Sequence, residues 1–284
     1  MRILVSFKVT PDYEALRDAD WGEGPVAAGV PSVETRFVRR VLNVFDESAL
    51  ELALRLTETE AQPGMATVTR WSGASLAALT VGDRTADPFL TTLLALGFEP
   101  ATRIEAAAAE LDFCPARTAA LIAAHARTMA PDLLLLGTRS GPGGGGTVPF
   151  RLSEELGWPC LAQVTAIEPL PDGRLRVAAE TDDGLLSVTM RPPCILAIGN
   201  AIVSHLRAPT LTARLAARER RVDVLPPGGV GVDAPARARA ADPTLVRLER
   251  VHDERAGVVI EGADAREKAQ RLYDGYLRDR LAAP

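Results

Sequence analysis

Cysteine is scarce in this chain of 284 residues, and no apolar run is long enough to span a bilayer. The three cysteines, Cys114, Cys160 and Cys194, are widely spaced and form no CxxC pair. They are therefore expected to be reduced and buried, as in a cytosolic protein. A membrane span requires roughly 18 consecutive apolar residues. The segment "MRILVSFKV" has no small-residue cleavage site, which indicates a strand rather than a signal peptide. These absences predict a cytoplasmic protein with no stable membrane insertion.

Positive charge and catalytic side-chain sets are also scarce. The chain has 32 Lys and Arg against 37 Asp and Glu, a net charge of -5. This balance argues against a nucleic-acid surface, which needs a clustered excess of Lys and Arg. The three histidines lack the spacing of metal ligands, and there is no Ser/His/Asp or Cys/His set. Acid pairs such as Asp182-Asp183 are interpreted as turn and surface residues. We therefore expect no metal site and no catalytic residues.

The sequence does contain a regular alternation of strand-like and helix-like segments over its first two thirds. Short apolar runs typical of buried strands alternate with segments whose apolar residues recur at helical spacing. The predicted strands are 2–9, 76–81 and 133–136, and the predicted helices are 46–58, 88–96, 116–130 and 148–156. Asp87 is predicted to cap its helix, with Pro88 as the first helical residue and Gly97 as the stop. This order predicts an α/β fold, a doubly wound and mostly parallel sheet covered on both faces.

The pattern changes after residue 160. Residues 161–190 alternate apolar and polar side chains and are broken by Pro-Asp-Gly at 171–173 and Asp-Asp-Gly at 182–184. Both features predict an antiparallel hairpin extension of the sheet, followed by one more buried strand within 191–199. The last segment is rich in Pro and Gly and too short for a core of its own. We expect a domain over 1–221 and a C-terminal arm over 222–284, with a closing helix from about Ala265.

The most flexible backbone, 137–147, directly follows the apolar run 133–136. Gly141, Gly143 and Gly146 satisfy GxGxxG, but the dinucleotide fingerprint normally follows the first strand and has an acid about 20 residues later. A Walker loop is excluded because no Lys follows the glycines. A glycine-rich turn between a strand and a helix nevertheless exposes amide N–H groups that suit an anion. The hydroxyl of Thr147 would add to them. The alternative is a surface loop that binds nothing.

Five stretches in order resemble the beta subunit of electron transfer flavoprotein. They are "RILVSFKVTPDY", "NVFDESALELALRL", "LLLLGTRSG…LGWP", "AETDDGLLSVTMRPPCILA" and "VDVLPPGGVGVD", and they run from residue 2 to about 233. The resemblance implies a nucleotide-binding-like domain of the adenine nucleotide alpha hydrolase kind. It also implies a heterodimer with an alpha subunit that holds the redox FAD, while the beta subunit buries AMP or, in electron-bifurcating members, a second FAD. Such a subunit is an electron carrier between flavin-dependent dehydrogenases and the respiratory chain rather than an enzyme.

The resemblance also implies a set of nucleotide-binding residues. Ser6 would lie beside the adenosine, the segment Asn43, Val44, Phe45 and Asp46 would hold the adenine, and Val81 and Gly82 would line the pocket. The ribose and phosphate would be wrapped by Gly137, Thr138, Arg139, Ser140, Gly143, Gly144, Gly145, Gly146, Thr147 and Val148. All these segments follow predicted strands, where a doubly wound sheet opens its crevice.

The glycine turn departs from the family pattern. An acidic run followed by Asn-Gln-Thr-Gly is usual there, whereas this chain has "GPGGGGTVPF", in which Pro149 removes one N–H donor. Three outcomes stay open: the backbone alone holds the phosphate, AMP has been lost, or the turn admits a larger dinucleotide. A stand-alone adenine-nucleotide hydrolase or binding protein of similar fold is a further alternative, but it would need more Ser and Thr in this turn. The connection at 57–75 is longer than in the family.

Three further residues match family positions that contact partners. Tyr13 would face the flavin of the alpha subunit, and Leu211 would project into a pocket on the client dehydrogenase. Arg207, Arg214 and Arg218 would form a charged rim around that leucine. Glu180 matches an acid that tunes partner release. The ordinary interpretations are a loop tyrosine, a solvated helix end and a turn acid.

Overall fold

The computed structural model describes residues 1–16, 35, 37–58, 71, 73–107, 111, 113–141, 145–230 and 257–282. The chain divides into two compact units, Met1–Leu248 and Glu249–Pro284. Most of the described residues belong to the first unit. The glycines at 143 and 144 and most of the long connection at 57–75 lie outside the described residues.

A nine-stranded sheet forms the centre of the first unit. Its strands are β1 (Arg2–Ser6), β4 (Ser75–Gly82), β5 (Ala101–Glu105), β6 (Leu133–Gly137), β7 (Cys160–Pro169), β8 (Leu175–Thr181), β9 (Gly184–Met190), β10 (Cys194–Ile198) and β11 (Asp223–Leu225). They lie side by side in the order β11-β5-β4-β1-β6-β10-β7-β8-β9. All pairs from β11 to β7 are parallel, whereas β8 and β9 pair antiparallel. A separate two-stranded sheet joins β2 (Val9–Pro11) and β3 (Arg40–Leu42).

Helices cover both faces of the large sheet. They are α1 (Val44–Thr57), α2 (Asp87–Ala95), α3 (Pro115–Met129), α4 (Val148–Leu156) and α5 (Leu211–Ala217). Successive strand residues point to opposite faces, so Val5 and Leu135 join a core with α1 and α2. Leu4 and Leu134 instead join the core under α3 and α4. The predicted α/β fold with a doubly wound, mostly parallel sheet is therefore confirmed.

The antiparallel extension lies where the sequence predicts it. The turns at 171–173 and 182–184 connect β7 to β8 and β8 to β9. Gly173 and Gly184 have φ values of 79° and 129°, a left-handed backbone region that glycine enters without steric cost. The predicted strand within 191–199 is β10, which is completely buried.

Several predicted boundaries and roles are wrong. The strand predicted over 2–9 is divided into β1 and β2, because the chain leaves the large sheet after Ser6. The helix predicted from Asp46 begins at Val44. Asp87 is the first residue of α2 rather than its cap. Its carboxylate binds Arg103, with Oδ1 2.6 Å from Nε.

Three strands have no counterpart in the prediction, β3, β5 and β11. Strand β5 includes the polar residues Thr102 and Arg103, both almost completely buried. The cysteines also differ from expectation, since only Cys194 is buried and Cys114 and Cys160 are half-buried.

The second unit contains a helical segment that begins at Ala265, as predicted, with α6 (Ala265–Leu272) and α7 (Arg278–Ala282) joined by a wider turn at Tyr273–Leu277. Asp264 caps α6 by accepting a hydrogen bond from the amide of Glu267 at 2.8 Å. No described residue of this unit is buried. Strand β11, within the segment 222–284 that the sequence predicts as an arm, is an edge strand of the large sheet.

Candidate functional site

A pocket lies at the point where the strand order of the large sheet reverses. Strands β4 and β5 extend the sheet on one side of β1, and β6 and β10 extend it on the other. The connections that follow β1 and β6 therefore diverge to opposite faces and leave a crevice at the carboxyl ends of these strands. Doubly wound sheets bind ligands in this crevice.

The pocket encloses about 650 Å³, a volume that includes its open mouth. Its walls come from the ends of β1, β4 and β6 and from the first turns of α1, α3 and α4. The lining residues are Ser6, Phe7, Lys8, Asn43, Asp46, Val81, Leu111, Pro115, Thr118, Ile122, Leu136, Gly137, Arg139, Ser140 and Val148.

Asp46 connects the two strands that border the crevice. Its Oδ2 accepts a hydrogen bond from the amide of Lys8 at 2.9 Å, and its Oδ1 accepts one from the amide of Gly137 at 2.6 Å. Burial raises the pKa of Asp46 to about 6, although both amides, the Asn43 side chain and the Lys8 charge favour the ionised form. The carboxyl group is therefore a structural link between β1 and β6.

Gly137 has no space for a side chain. A Cβ at this position would lie 2.7 Å from Asp46 Oδ1 and 2.9 Å from both Asn43 Nδ2 and Phe45 Cβ. Real Cβ atoms essentially never approach other atoms so closely. The start of α1 thus packs directly against the end of β6, which brings Asn43 and Asp46 to the pocket wall.

Arg139 and Tyr13 lie at the glycine-rich turn. The carbonyl of Arg139 accepts a hydrogen bond from Asn43 Nδ2 at 3.0 Å. Its guanidinium carbon lies 5.5 Å from the centre of the Phe45 ring, within range of a cation–π interaction. A Cβ at Gly141 would lie 3.6 Å from Tyr13 Cε2, so the Tyr13 ring is beside this turn.

Several described residues of the expected nucleotide site are not among those that line the pocket. Thr138 is buried, and its amide donates to the carbonyl of Ile198 at 2.8 Å. Val44 is 60% exposed at the start of α1, and Gly82 ends β4 with no atom within 4 Å of an added Cβ. Gly145, Gly146 and Thr147 form a single 3-10 turn that leads into α4.

Sequence reasoning missed part of the pocket wall. Lys8 follows the end of β1 by two residues, and Pro115, Thr118 and Ile122 lie on the first two turns of α3. Their spacing of three and four residues puts them on one face of that helix. The order of the sheet, rather than any motif, brings this face to the crevice.

A second exposed surface lies on α5. Leu211 and Leu215 are 73% and 50% exposed and are one helical turn apart. Ala217 of the same helix is buried in the core. The Thr210 hydroxyl caps the helix by accepting a hydrogen bond from the amide of Ala213 at 3.2 Å. The helix is thus fixed at one end and presents two leucines to solvent.

Arg207 does not belong to the expected charged rim around Leu211. Its Nη2 lies 2.6 Å from Glu51 Oε1 on α1, and the guanidinium also binds Glu58. Burial opposes ionisation of Glu51, but hydrogen bonds from Arg207 and Arg55 outweigh it and hold the pKa of Glu51 below its ordinary value. Arg207 therefore fastens the segment before α5 to α1. Arg214 and Arg218 are exposed.

Glu180 lies near the tip of the β8–β9 hairpin, where it is exposed and paired in register with Leu185. Leu185 and Leu186 are 81% and 42% exposed. The tip therefore combines an acid with two exposed leucines.

The parallel sheet, its two helical layers and the crevice at the strand reversal define an α/β protein of the nucleotide-binding-like class. The model of the electron transfer flavoprotein domain matches residues 32–227. The chain therefore belongs to the electron transfer flavoprotein family, and its similarities identify it as a divergent beta-like member.

Individual relatives agree with this assignment. A protein of Escherichia coli named as electron transfer flavoprotein subunit YgcR is 30% identical over 281 residues, 99% of each chain. The electron transfer flavoprotein subunit beta of Mycobacterium tuberculosis is 25% identical over 232 residues, 82% of this chain and 81% of the relative. The human beta subunit is 25% identical over 266 residues, 92% and 93% of the two chains. Among the described residues, no helix has the length and apolar character needed to cross a membrane.

Proposed function

We propose that this chain is the beta subunit of a cytoplasmic electron transfer flavoprotein. It binds AMP in the pocket at the end of β1 and β6, covers one side of the FAD held by an alpha subunit, and docks flavin-dependent dehydrogenases whose electrons pass toward the respiratory chain. The observation that carries the proposal is this pocket, at the strand reversal of a chain that belongs to the family. The flavin supplies the redox chemistry, so this chain acts as a carrier subunit rather than as an enzyme.

The chemistry of the pocket wall fits an adenine nucleotide. Val81, Leu111 and Ile122 offer apolar surface for a purine ring. Ser6 and Asn43 offer hydrogen-bonding groups for the base or the ribose. The nucleotide has a structural role here, because it would fill the crevice between the strand ends that Asp46 joins.

Exposed apolar residues support the proposed contacts with partners. Contiguous exposed apolar residues, unlike single ones, often mark a contact surface. The leucine at 211, with Arg214 beside it, is proposed as the anchor for the dehydrogenase, and Glu180 as an acid that tunes release. Tyr13 is proposed to face the flavin. In the second unit, Tyr273, Tyr276 and Leu277 are exposed, and their spacing places them on one side of the helical segment. This side is proposed to pack on the alpha subunit.

The test is to purify the full chain alone and together with the alpha subunit expressed from its neighbouring gene. Absorbance spectra report bound flavin, and chromatography of the denatured supernatant identifies released nucleotide. We expect a flavin spectrum only from the complex, with AMP released from it. Flavin retained by the isolated chain would instead indicate the bifurcating type, and ATP turnover by the isolated chain would contradict the carrier role.

A pocket-filling variant sharpens this test. Val81→Trp places a large ring in the pocket and is expected to lower the AMP content of the complex. Val224→Trp is the matched control, because Val224 is exposed on β11, two strands from β4. Equal AMP content in the two variants would show that the nucleotide binds elsewhere.

A further inference from the structure

Two cationic side chains line the pocket. Lys8 follows β1, and Arg139 follows β6, the strand that pairs with β1. In the described part of the chain, neither side chain forms an ion pair with a carboxylate. Cations on both sides of a cleft create a positive potential that concentrates anions in it. The pocket is therefore suited to a negatively charged ligand, in a protein whose net charge is negative.

Both cations are attached to backbone that the start of α1 holds in place. The amide of Lys8 donates to Asp46 Oδ2 at 2.9 Å, and the carbonyl of Arg139 accepts from Asn43 Nδ2 at 3.0 Å. The guanidinium of Arg139 is also held over the Phe45 ring. Cations on a preorganised frame lose less conformational entropy when they bind a ligand.

Asp46 offsets part of this charge through its attraction to Lys8, but among the described residues it forms no ion pair with either cation. It is 5% exposed, and each of its carboxyl oxygens already accepts an amide hydrogen bond. Burial also raises its pKa to about 6, against the effect of those bonds and of the nearby Lys8 charge. Its carboxylate therefore stabilises the frame behind the cations and has no oxygen directed to an ion pair.

Main-chain amides could bind the anion instead of these side chains, but a proline reduces their number at α4. Helices bind anions through the amide N–H groups of their first turn. Helix α4 begins at Val148, and its second residue is Pro149, which has no amide hydrogen. The first turn of α4 therefore offers one N–H group fewer than usual where it meets the pocket.

We infer that Lys8 and Arg139 together bind the phosphate of the pocket's ligand, so that the pocket selects a nucleoside phosphate over the nucleoside by side-chain charge. The inference rests on the proposed nucleotide site and deepens it. It assigns the phosphate affinity to two side chains rather than to the amides of the glycine-rich turn.

Equilibrium dialysis of the full chain against radiolabelled AMP and adenosine tests the inference. Lys8→Met and Arg139→Met are each expected to weaken AMP binding by about ten-fold or more, since hydrogen bonds to charged groups are of this strength. Adenosine binding is expected to stay the same. Lys8→Arg and Arg139→Lys should retain the preference for AMP. Arg84→Met is the matched control, because Arg84 follows β4 at the same edge of the sheet but is not among the described lining residues.

The outcomes separate this inference from the proposed function. A wild-type chain that binds neither compound overturns both. A wild-type preference for AMP that persists in Lys8→Met and Arg139→Met overturns the inference alone and assigns the phosphate to main-chain amides. A methionine variant that binds neither AMP nor adenosine and melts at a lower temperature has lost its fold, and the charge-retaining variant at the same position is then measured. A preference for AMP in that variant supports the inference, and the lack of such a preference overturns it.

Discussion

Replacement of Gly137 by alanine is the sharpest available test of how the pocket is built. The backbone of Gly137 lies outside the left-handed region, so alanine can adopt its conformation. The space around it is the obstacle, because the new methyl group would lie 2.7 Å from Asp46 Oδ1 and 2.9 Å from Asn43 Nδ2. Either the start of α1 or the end of β6 must move. Both movements lengthen the 2.6 Å hydrogen bond from the Gly137 amide to Asp46.

The expected loss of stability has two sources. Overpacking of a filled site costs about 1–3 kcal/mol. Complete loss of a buried hydrogen bond to a charged group costs about 1.5–3 kcal/mol, and partial weakening costs less. Movement of α1 away from β6 relieves the overpacking but lengthens the hydrogen bond. We therefore expect a net loss of about 3 kcal/mol in the free energy of unfolding. For a unit of this size, such a loss lowers Tm by about 6–12 °C.

Urea unfolding followed by circular dichroism measures this change, with Gly82→Ala as the matched control. Gly82 also ends a parallel strand of the sheet, but no atom lies within 4 Å of an added Cβ. Its variant is therefore expected to remain within about 0.5 kcal/mol of the original chain. If Gly137→Ala unfolds at the same urea concentration as Gly82→Ala, the close packing of α1 on β6 is not a determinant of this fold.

Three further outcomes are expected. Leu211→Ala should weaken docking of the client dehydrogenase about 30-fold, the value of one buried leucine, without changing Tm. Stopped-flow reduction by the dehydrogenase measures this, with Ile202→Ala as the control because Ile202 is 93% exposed. Equal reduction rates for the two variants would contradict the docking role. Arg207→Met should lower the free energy of unfolding in urea by about 2–3 kcal/mol, because Glu51 loses its main counter-charge and its side chain is only 4% exposed. A decrease below about 1 kcal/mol, the value of an exposed ion pair, would refute this. The pKa of Asp46, about 6 against an ordinary 3.8, means that protonation favours the folded state. Stability from this group is present below about pH 4 and falls by about 3 kcal/mol as the pH rises through about 6. The difference in unfolding free energy between the original chain and Asp46→Asn should therefore depend on pH, and a constant difference would disprove the shift.

The central strands could be predicted because their side chains carry the signal themselves. The run 133–136 is apolar on both faces of β6, and the turns at 173 and 184 contain the glycines that their backbone requires. Strand β5 gave no such signal. Its buried Arg103 is stabilised by Asp87 of α2, a partner that becomes visible only when the helix is in place.

The position of the candidate site could be predicted from the sequence, but the contacts that hold it together could not. Strand ends in a doubly wound sheet are adjacent by topology, so Ser6, Asn43 and Gly137 could be grouped from sequence order. The link made by Asp46 joins residues 38 and 91 positions away, and no local pattern encodes it. The same holds for Arg207, which appeared to be a rim charge and is instead paired 156 positions away with Glu51.

The position of β10 has a consequence for the newly made chain. This strand is inserted between β6 and β7 although it follows both in the sequence. On the ribosome, the hairpin of β8 and β9 can form with β7 while the apolar edge of β6 still lacks its neighbour. The segment 138–193 between β6 and β10 takes about 3–11 s to translate at about 5–20 residues per second. During that interval the unpaired edges of β6 and β7 are exposed and can associate with other chains. The yield of folded protein in a cell should therefore depend on chaperone supply and on the rate of elongation through this region.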